Sequence, residues 1–279
     1  MHYQDDPMKY ESAIGEIENI RLLPDLETLS ILKRYYAQLC LMKNRFPMEK
    51  GDTINVAFSW MDKNSDTSNA VVFEDINYEL ACIMYNIGAV HAAIAANETR
   101  TDLDSIKNAF THFQCAAYPF EQIRDSMNAV KYSAVDFDPS ILTFYITILL
   151  AQAQECLLEK SIIDHRKNTV IAKLAIHLRD VYMQCHKKTF SVVISARMLQ
   201  EWLRTCTVKS EMYGAIAMLH LGLQAEEDNK MAIMFLIYQL VYIIVFRQRN
   251  AKKENDFIYH DRMPKSEELA VIEVQIYWC

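Results

Sequence analysis

The side chains that could carry out nucleophilic chemistry are scattered along this chain. Seven cysteines occur, and no two of them have the Cys-x-x-Cys spacing of a zinc or redox site. A cysteine phosphatase needs His-Cys followed by five residues and Arg, because that loop cradles phosphate and activates the thiolate. Cys40 lacks the preceding His and meets Arg45 one residue too early, and Cys185 has no such Arg. We therefore predict no enzyme activity and no cofactor.

One acidic run imitates a metal site. The segment from Asp62 to Asp66 resembles the start of a calcium loop, but Thr67 replaces the glycine of position six and Phe73 occupies position twelve. The residues on both sides are typical of strands, whereas a calcium loop lies between helices. The eight histidines are dispersed along the chain. The sequence therefore predicts no metal site.

The composition favours a helical protein that binds neither DNA nor RNA. Hydrophobic residues make up 51% of the 279 positions, with only 5 glycines and 6 prolines, which favours long helices over many tight turns. The net charge of -7 comes with no basic cluster, so nucleic acid is excluded as a partner. Most cysteines fall in apolar helical patterns, which is typical of buried thiols in a reducing compartment. The polar, acidic N-terminus is not a signal peptide.

Two short strands precede a long helical region. The segments Ile54–Trp60 and Ala70–Phe73 are predicted strands, and the polar residues between them predict a hairpin with a loose loop. From there on, apolar residues recur at helical spacing. Asp138 and Pro139 predict the start of a long helix, with the aspartate as N-cap and the proline at the first helical position.

The clearest apolar stripe extends from Val170 to Cys185. Its members are Val170, Ile171, Leu174, Ala175, Leu178, Val181, Tyr182 and Cys185. They cover an arc of roughly 140°, which suits a helix that packs on two neighbours or on one neighbour with an exposed edge. Val170 lies at one edge of the arc and Leu174 lies nearer its middle. Periodicity leaves open which of them is exposed.

Four blocks in order resemble one known family. They are YELACIMYNIGAVHAAI (Tyr78–Ile94), THFQCAA (Thr111–Ala117), AQAQECLLEK (Ala151–Lys160) and AKKENDFIYHDRMP (Ala251–Pro264). Together they resemble the BRO domain shared by Alix, its yeast counterparts and the His-domain protein tyrosine phosphatase, with the greatest likeness to the last. The resemblance implies a mostly α, curved, banana-shaped helical solenoid with a tetratricopeptide-like middle and a small β-hairpin.

The resemblance also implies a function and a site. The family provides non-catalytic adaptors of endosomal sorting and the multivesicular body pathway, which bind the C-terminal amphipathic helix of a Snf-seven-type ESCRT-III subunit. Matched positions for the hydrophobic patch are Val170 and Leu174, with Thr111 and Leu157 as further contacts, and Tyr259 matches a phosphorylated tyrosine. From the residues alone, core packing is the simpler interpretation of Val170 and Leu174. The i, i+4 spacing and the resemblance favour a helix-binding site.

The resemblance further implies a cytoplasmic protein that is recruited to endosomes, stays peripheral to the membrane and binds other endosomal sorting adaptors. The expected organisation is a BRO domain over 1–230 without its first strand, an apolar non-family insert at 231–250, a BRO segment at 251–264 and a tail at 265–279. We therefore expect a truncated or alternatively spliced form. The alternative is a membrane-tethered helical protein anchored by 231–246, although sixteen residues fall short of the ~20 that span a bilayer.

Overall fold

In a computed structural model, the described part of the chain contains six long helices and one short hairpin. The described residues are 25–54, 56–61, 70–189, 196–234 and 236–237. The helices are α1 (Leu26–Arg45), α2 (Ile76–Asn97), α3 (Leu103–Asp125), α4 (Pro139–Ile163), α5 (Asn168–Thr189) and α6 (Ala196–Glu227). The strands are β1 (Phe58–Met61) and β2 (Ala70–Phe73), and two 3-10 turns, Ala129–Tyr132 and Val135–Phe137, connect α3 to α4. Each helix packs against the next one along the chain.

Side-chain caps set the starts of the helices that build the site. Asp138 accepts a hydrogen bond from the backbone N–H of Ser140 at 2.8 Å, and Pro139 occupies the first turn of α4. At the start of α3, Asp102 and Ser105 form a capping box. Each cap satisfies backbone N–H groups that have no partner inside the helix. The predicted start of α4 is confirmed.

The hairpin matches the prediction in its second strand and departs from it in its first. β2 has the predicted bounds, but the predicted strand Ile54–Trp60 is wrong over its first residues. β1 begins at Phe58, whose partner Phe73 is the last residue of β2. Because α2 begins at Ile76, the residues before Phe58 have no strand left to pair with. The calcium-like run lies in 62–69, outside the described residues.

A buried carboxylate on α2 ties the hairpin and α1 to the helical body. Glu79 is buried, and it accepts hydrogen bonds from the Trp60 indole of β1 and, at 3.0 Å, from the Tyr35 hydroxyl of α1. Burial raises the pKa of Glu79, and the two donors oppose that shift. The hydrogen bonds matter because an unsatisfied buried carboxylate would be costly.

A continuous apolar core extends from α2 to α6, and a smaller one lies between α1 and α2. Gly88 permits a close approach of α2 and α3 within the larger core. A Cβ atom at Gly88 would lie 2.9 Å from the Phe120 ring and 3.2 Å from the Ala116 carbonyl oxygen. Phe120 is fully buried and has no room to move aside. The missing side chain therefore sets how closely these two helices pack.

Two of the described helices, α2 and α4, are long and apolar enough to cross a membrane by length and composition. Their most apolar windows are 78% and 72% buried within the protein. Both helices lie in the middle of the packing order, with neighbours on two sides. Burial in the core accounts for their apolar character.

Candidate partner-binding groove

Before its last turn, helix α4 is buried on all sides except along one narrow line of side chains. Between Ser140 and Leu158 its accessible positions, here named the α4 stripe, are Thr143, Thr147, Leu150, Gln154 and Leu157. At about 100° per residue, these five positions fall within about 80° of one another. The stripe contains no charged residue, although exposed helix faces normally carry charges. Its two leucines, Leu150 and Leu157, are the exposed apolar side chains of the stripe.

The helices that flank α4 carry other predicted residues at the same axial levels as this stripe. Arg124 of α3 donates a hydrogen bond from Nη1 to Thr143 Oγ1 at 3.2 Å. This bond fixes the axial position of α3 relative to α4. Thr111 lies thirteen residues before Arg124, and Leu157 lies fourteen residues after Thr143. Because the two helices are antiparallel, Thr111 and Leu157 are at about the same axial level. Leu157 and Leu174 each lie six residues from the facing ends of α4 and α5. Thr111, Leu157 and Leu174 therefore lie at about the same axial level on three neighbouring helices.

The predicted site residues differ in their exposure. Leu157 is 40% exposed and Val170 is 43% exposed, while Leu174 is half-buried and packs against the core. Thr111 is exposed, and its hydroxyl donates to its own helix at the Lys107 carbonyl oxygen. The candidate groove is defined as the α4 stripe together with Thr111, Val170 and Leu174.

The apolar arc predicted on α5 divides into a buried line and an accessible edge. The buried positions are Ile171, Ala175, Leu178, Tyr182 and Cys185. Core packing, the simpler interpretation of the sequence pattern, does not hold for Val170 and holds in part for Leu174. Tyr259 lies outside the described residues, so its predicted role stays a prediction.

The side of α4 opposite the stripe carries a group of charges, here named the Glu155 cluster, in which Glu155 is buried and the Glu159 side chain is 35% exposed. It consists of Glu155, Glu159, Arg100, Tyr182 and Lys209. Lys209 Nζ lies 2.7 and 2.9 Å from the two carboxylate oxygens of Glu155, and the Tyr182 hydroxyl donates to the same carboxylate. Arg100 Nη1 lies 3.7 Å from Glu155 and 3.4 Å from Glu159. Two negative and two positive side chains therefore balance one another.

Burial raises the pKa of two members of this cluster, Tyr182 and Glu159. Burial raises the pKa of the Tyr182 hydroxyl well above its ordinary value, and the nearby Glu155 raises it further. The hydroxyl therefore remains a donor at any physiological pH. Burial also raises the pKa of Glu159, against the opposing effect of Arg100. The AQAQECLLEK block (Ala151–Lys160) thus combines the buried Glu155 with the accessible Leu157.

The described cysteines do not form a nucleophilic site. Four of the six are buried, namely Cys82, Cys156, Cys185 and Cys206. Burial raises the pKa of Cys156 to about 11 and that of Cys206 to about 12, so both thiols stay protonated at neutral pH. A protonated thiol is a poor nucleophile and a poor metal ligand.

One histidine pair lies between α2 and α3. The Nδ1 atoms of His91 and His112 are 3.1 Å apart. Burial lowers the pKa of His91 to about 4, and it also lowers the pKa of His112. Within the described residues, no group of three or more His, Cys, Asp or Glu side chains could hold a metal ion. The pair is therefore a neutral packing contact in which one ring donates and the other accepts.

Comparison with known proteins identifies the fold. The sequence profile of the BRO1-like domain matches residues 1–244. The chain belongs to the BRO1-like domain family. This BRO1-like domain is 31% identical to tyrosine-protein phosphatase non-receptor type 23 of Mus musculus, over 98% of this chain and 18% of the relative. It is 27% identical to ALG-2 interacting protein X of Dictyostelium discoideum, over 93% of this chain and 36% of the relative.

A third relative is the vacuolar protein-sorting protein bro-1 of Neurospora crassa, which is 30% identical over 83% of this chain and 23% of the relative. The chain thus spans about a fifth to a third of these relatives. Among solved structures, the ALIX BRO1 CHMP4C complex matches 94% of this chain and 82% of its own, with a TM-score of 0.69 and 26% identity. The predicted class, a mostly helical curved solenoid with a small hairpin, is confirmed.

Sequence reasoning missed two residues of the groove region. Leu150 lies seven residues before Leu157 on the same face of α4, and it is 39% exposed. The sequence pattern that could have identified Leu150 is the uncharged i, i+4, i+7 series that begins at Thr143 and continues through Thr147 to Leu150. Glu155 lies within the AQAQECLLEK block, and a single acid in an apolar run is a signal for a buried charge that needs partners.

Proposed function

We propose that this BRO1-like domain is a non-catalytic adaptor of endosomal sorting that binds the amphipathic C-terminal helix of a Snf-seven-type ESCRT-III subunit in the candidate groove. The observation that carries the proposal is the uncharged, half-exposed α4 stripe between α3 and α5. Support comes from the structural match to the ALIX BRO1 CHMP4C complex, in which a related domain is in complex with CHMP4C.

The dimensions of the stripe fit a short helix. Thr143 and Leu157 are fourteen residues apart, which corresponds to about 21 Å along α4. Leu150 and Leu157 are seven residues apart, or about 10 Å, so a partner helix parallel to α4 meets them with apolar residues two turns apart. Val170 and Leu174 add a second line of apolar contacts from α5. A partner with an apolar stripe of three to four turns therefore matches the groove.

The proposal places the protein in the cytoplasm, with recruitment to endosomes and a peripheral position at the membrane. Other endosomal sorting adaptors are further proposed partners, and no reaction is assigned to the domain. The relatives include vacuolar protein-sorting proteins, and one matched structure concerns endosomal targeting by the Bro1 domain. Those descriptions support the pathway for this chain.

A direct binding measurement tests the proposal. A fluorescent peptide of the tail helix of a Snf-seven-type subunit is titrated with the purified chain and with Leu150→Asp. We expect micromolar binding by the natural chain and a loss of at least about tenfold in the variant, because a carboxylate then faces the apolar side of the helix. Absence of binding by the natural chain contradicts the proposal.

A second candidate function, tethering to a membrane through 231–246, is favoured by exposed apolar side chains at the start of that segment. Met231 is 54% exposed, Ile233 is 48% exposed and Leu236 is 62% exposed. Most of the segment lies outside the described residues. Carbonate extraction of membranes separates the candidates, because a tethered chain stays in the pellet and a peripheral adaptor is released.

A further inference from the structure

We infer that Glu155 is a positioning residue that holds both walls of the candidate groove against its floor, an inference that rests on the proposed function. Glu155 and Glu159 lie roughly 120° and 160° around α4 from the centre of the stripe. The stripe would face the partner, and the charges lie behind it. One helix therefore supplies the floor of the groove on one side and a charged anchor on the other.

The partners of Glu155 come from three elements around α4, namely α5, α6 and the segment that precedes α3. Tyr182 belongs to α5, the helix that also presents Val170, and its hydroxyl donates to Glu155. Lys209 belongs to α6, which packs behind α5, and it contacts both oxygens of Glu155. The positions of α5 and α6 relative to α4 are thus fixed by hydrogen bonds to one carboxylate.

The other wall is held through Arg100. This residue lies two positions before Asp102, the N-cap of α3, and its guanidinium contacts Glu155 and Glu159. Arg100 has a φ of 52°, a left-handed conformation that a side chain disfavours. Such a conformation persists when surrounding contacts fix it, and the two ion pairs provide them. The entry of α3 is therefore fixed against the floor helix as well.

The buried charges contribute more to the relative positions of the helices than to the stability of the fold. A buried ion pair commonly gives little more stability than apolar side chains of the same size, because desolvation offsets the attraction. Hydrogen bonds are directional and narrow in length, whereas apolar contacts tolerate sliding. The groove needs a fixed distance between Leu157 on α4 and Val170 on α5. A directional cluster between those two helices supplies it.

The test replaces the buried unit by apolar side chains of similar size. In the variant Glu155→Leu/Tyr182→Phe/Lys209→Met, in which Arg100 keeps its ion pair with Glu159, we expect an unfolding temperature close to that of the natural chain. We expect its Kd for the fluorescent tail peptide to rise about tenfold, the usual size of such coupling. Amide hydrogen exchange in α5, measured by mass spectrometry, should be faster in the variant than in the natural chain. If the cluster only stabilised the fold, a variant of unchanged stability would show no such increase.

A matched control separates positioning from stability. Ile83→Val changes a fully buried residue of α2 in the smaller core, so it should lower the unfolding temperature and leave the Kd unchanged. An unchanged Kd in the triple variant overturns the positioning role and leaves the proposed function intact. If the triple variant does not fold, Tyr182→Phe alone decides, with a Kd about threefold higher expected and an unchanged Kd overturning the inference. A natural chain that binds no peptide overturns the proposed function and the positioning role together.

Discussion

Substituting aspartate at Leu157 or Val170 tests the groove at the accessible apolar anchors predicted from the sequence. The exposures of 40% and 43% leave roughly 70 Å² of each side chain open to a partner. At about 25 cal/mol per Å², covering that surface contributes about 1.7 kcal/mol per residue. Each loss corresponds to more than tenfold in Kd, and a carboxylate pressed against an apolar helix weakens binding further. Leu157→Asp/Val170→Asp should therefore abolish micromolar binding.

Stability should respond differently at the neighbouring position. Val170 is half in water, so Val170→Asp should leave the free energy of unfolding within about 0.5 kcal/mol of the natural value. Leu174 packs partly against the core, and Leu174→Asp should lower that free energy by about 1–3 kcal/mol as well as weaken binding. The combined Val170→Asp/Leu174→Asp variant should show both effects.

The assay is fluorescence anisotropy of the labelled tail peptide, with thermal unfolding followed by circular dichroism on the same samples. Leu41→Asp is the matched control, because Leu41 is a 58% exposed leucine on α1, outside the candidate groove. It should change neither the Kd nor the unfolding temperature. Normal binding by both Leu157→Asp and Val170→Asp, or a collapse of stability in Val170→Asp, refutes the reasoning.

Three further predictions concern chemistry, pH and packing. The purified chain should not hydrolyse para-nitrophenyl phosphate, since the buried Cys156 thiol is protonated at neutral pH; turnover that disappears on cysteine substitution contradicts this. His91 has a pKa of about 4 in the folded chain and about 6.5 in the unfolded chain. Acidification from pH 7 to pH 5 should therefore lower the free energy of unfolding by about 1 kcal/mol, after allowance for solvent screening. The stability from this group is complete above pH 6.5 and is lost as the pH falls towards 4, and His91→Gln should remove that dependence in urea titrations. Gly88→Ala should lower the free energy of unfolding by about 1–2 kcal/mol, because the new methyl group meets the Phe120 ring. The control Gly214→Ala should not lower it, because its methyl group meets only the flexible Arg179 side chain at 3.4 Å. Equal effects of the two variants in urea denaturation would show that close helix approach is not the cause.

The sequence alone determined the helical class, the start of α4 and the family. These features depend on local signals, namely scarce glycine and proline, an Asp-Pro cap and four ordered blocks. The same local signals placed β2 correctly. They misplaced the start of β1, because the beginning of a strand depends on where its partner ends, and Phe73 is the last residue of β2.

Only the tertiary structure decided which apolar residues face solvent. Val170 and Ile171 are neighbours on one stripe, yet one is 43% exposed and the other 3% exposed, because the packing of α4 and α6 on α5 covers only part of the arc. Helical periodicity gives the angle of each side chain around its own axis, and burial depends on the directions from which other helices approach. The partners of Glu155 were hidden for the same reason. Arg100 and Lys209 lie about fifty residues away on either side, and only folding brings the three charges together.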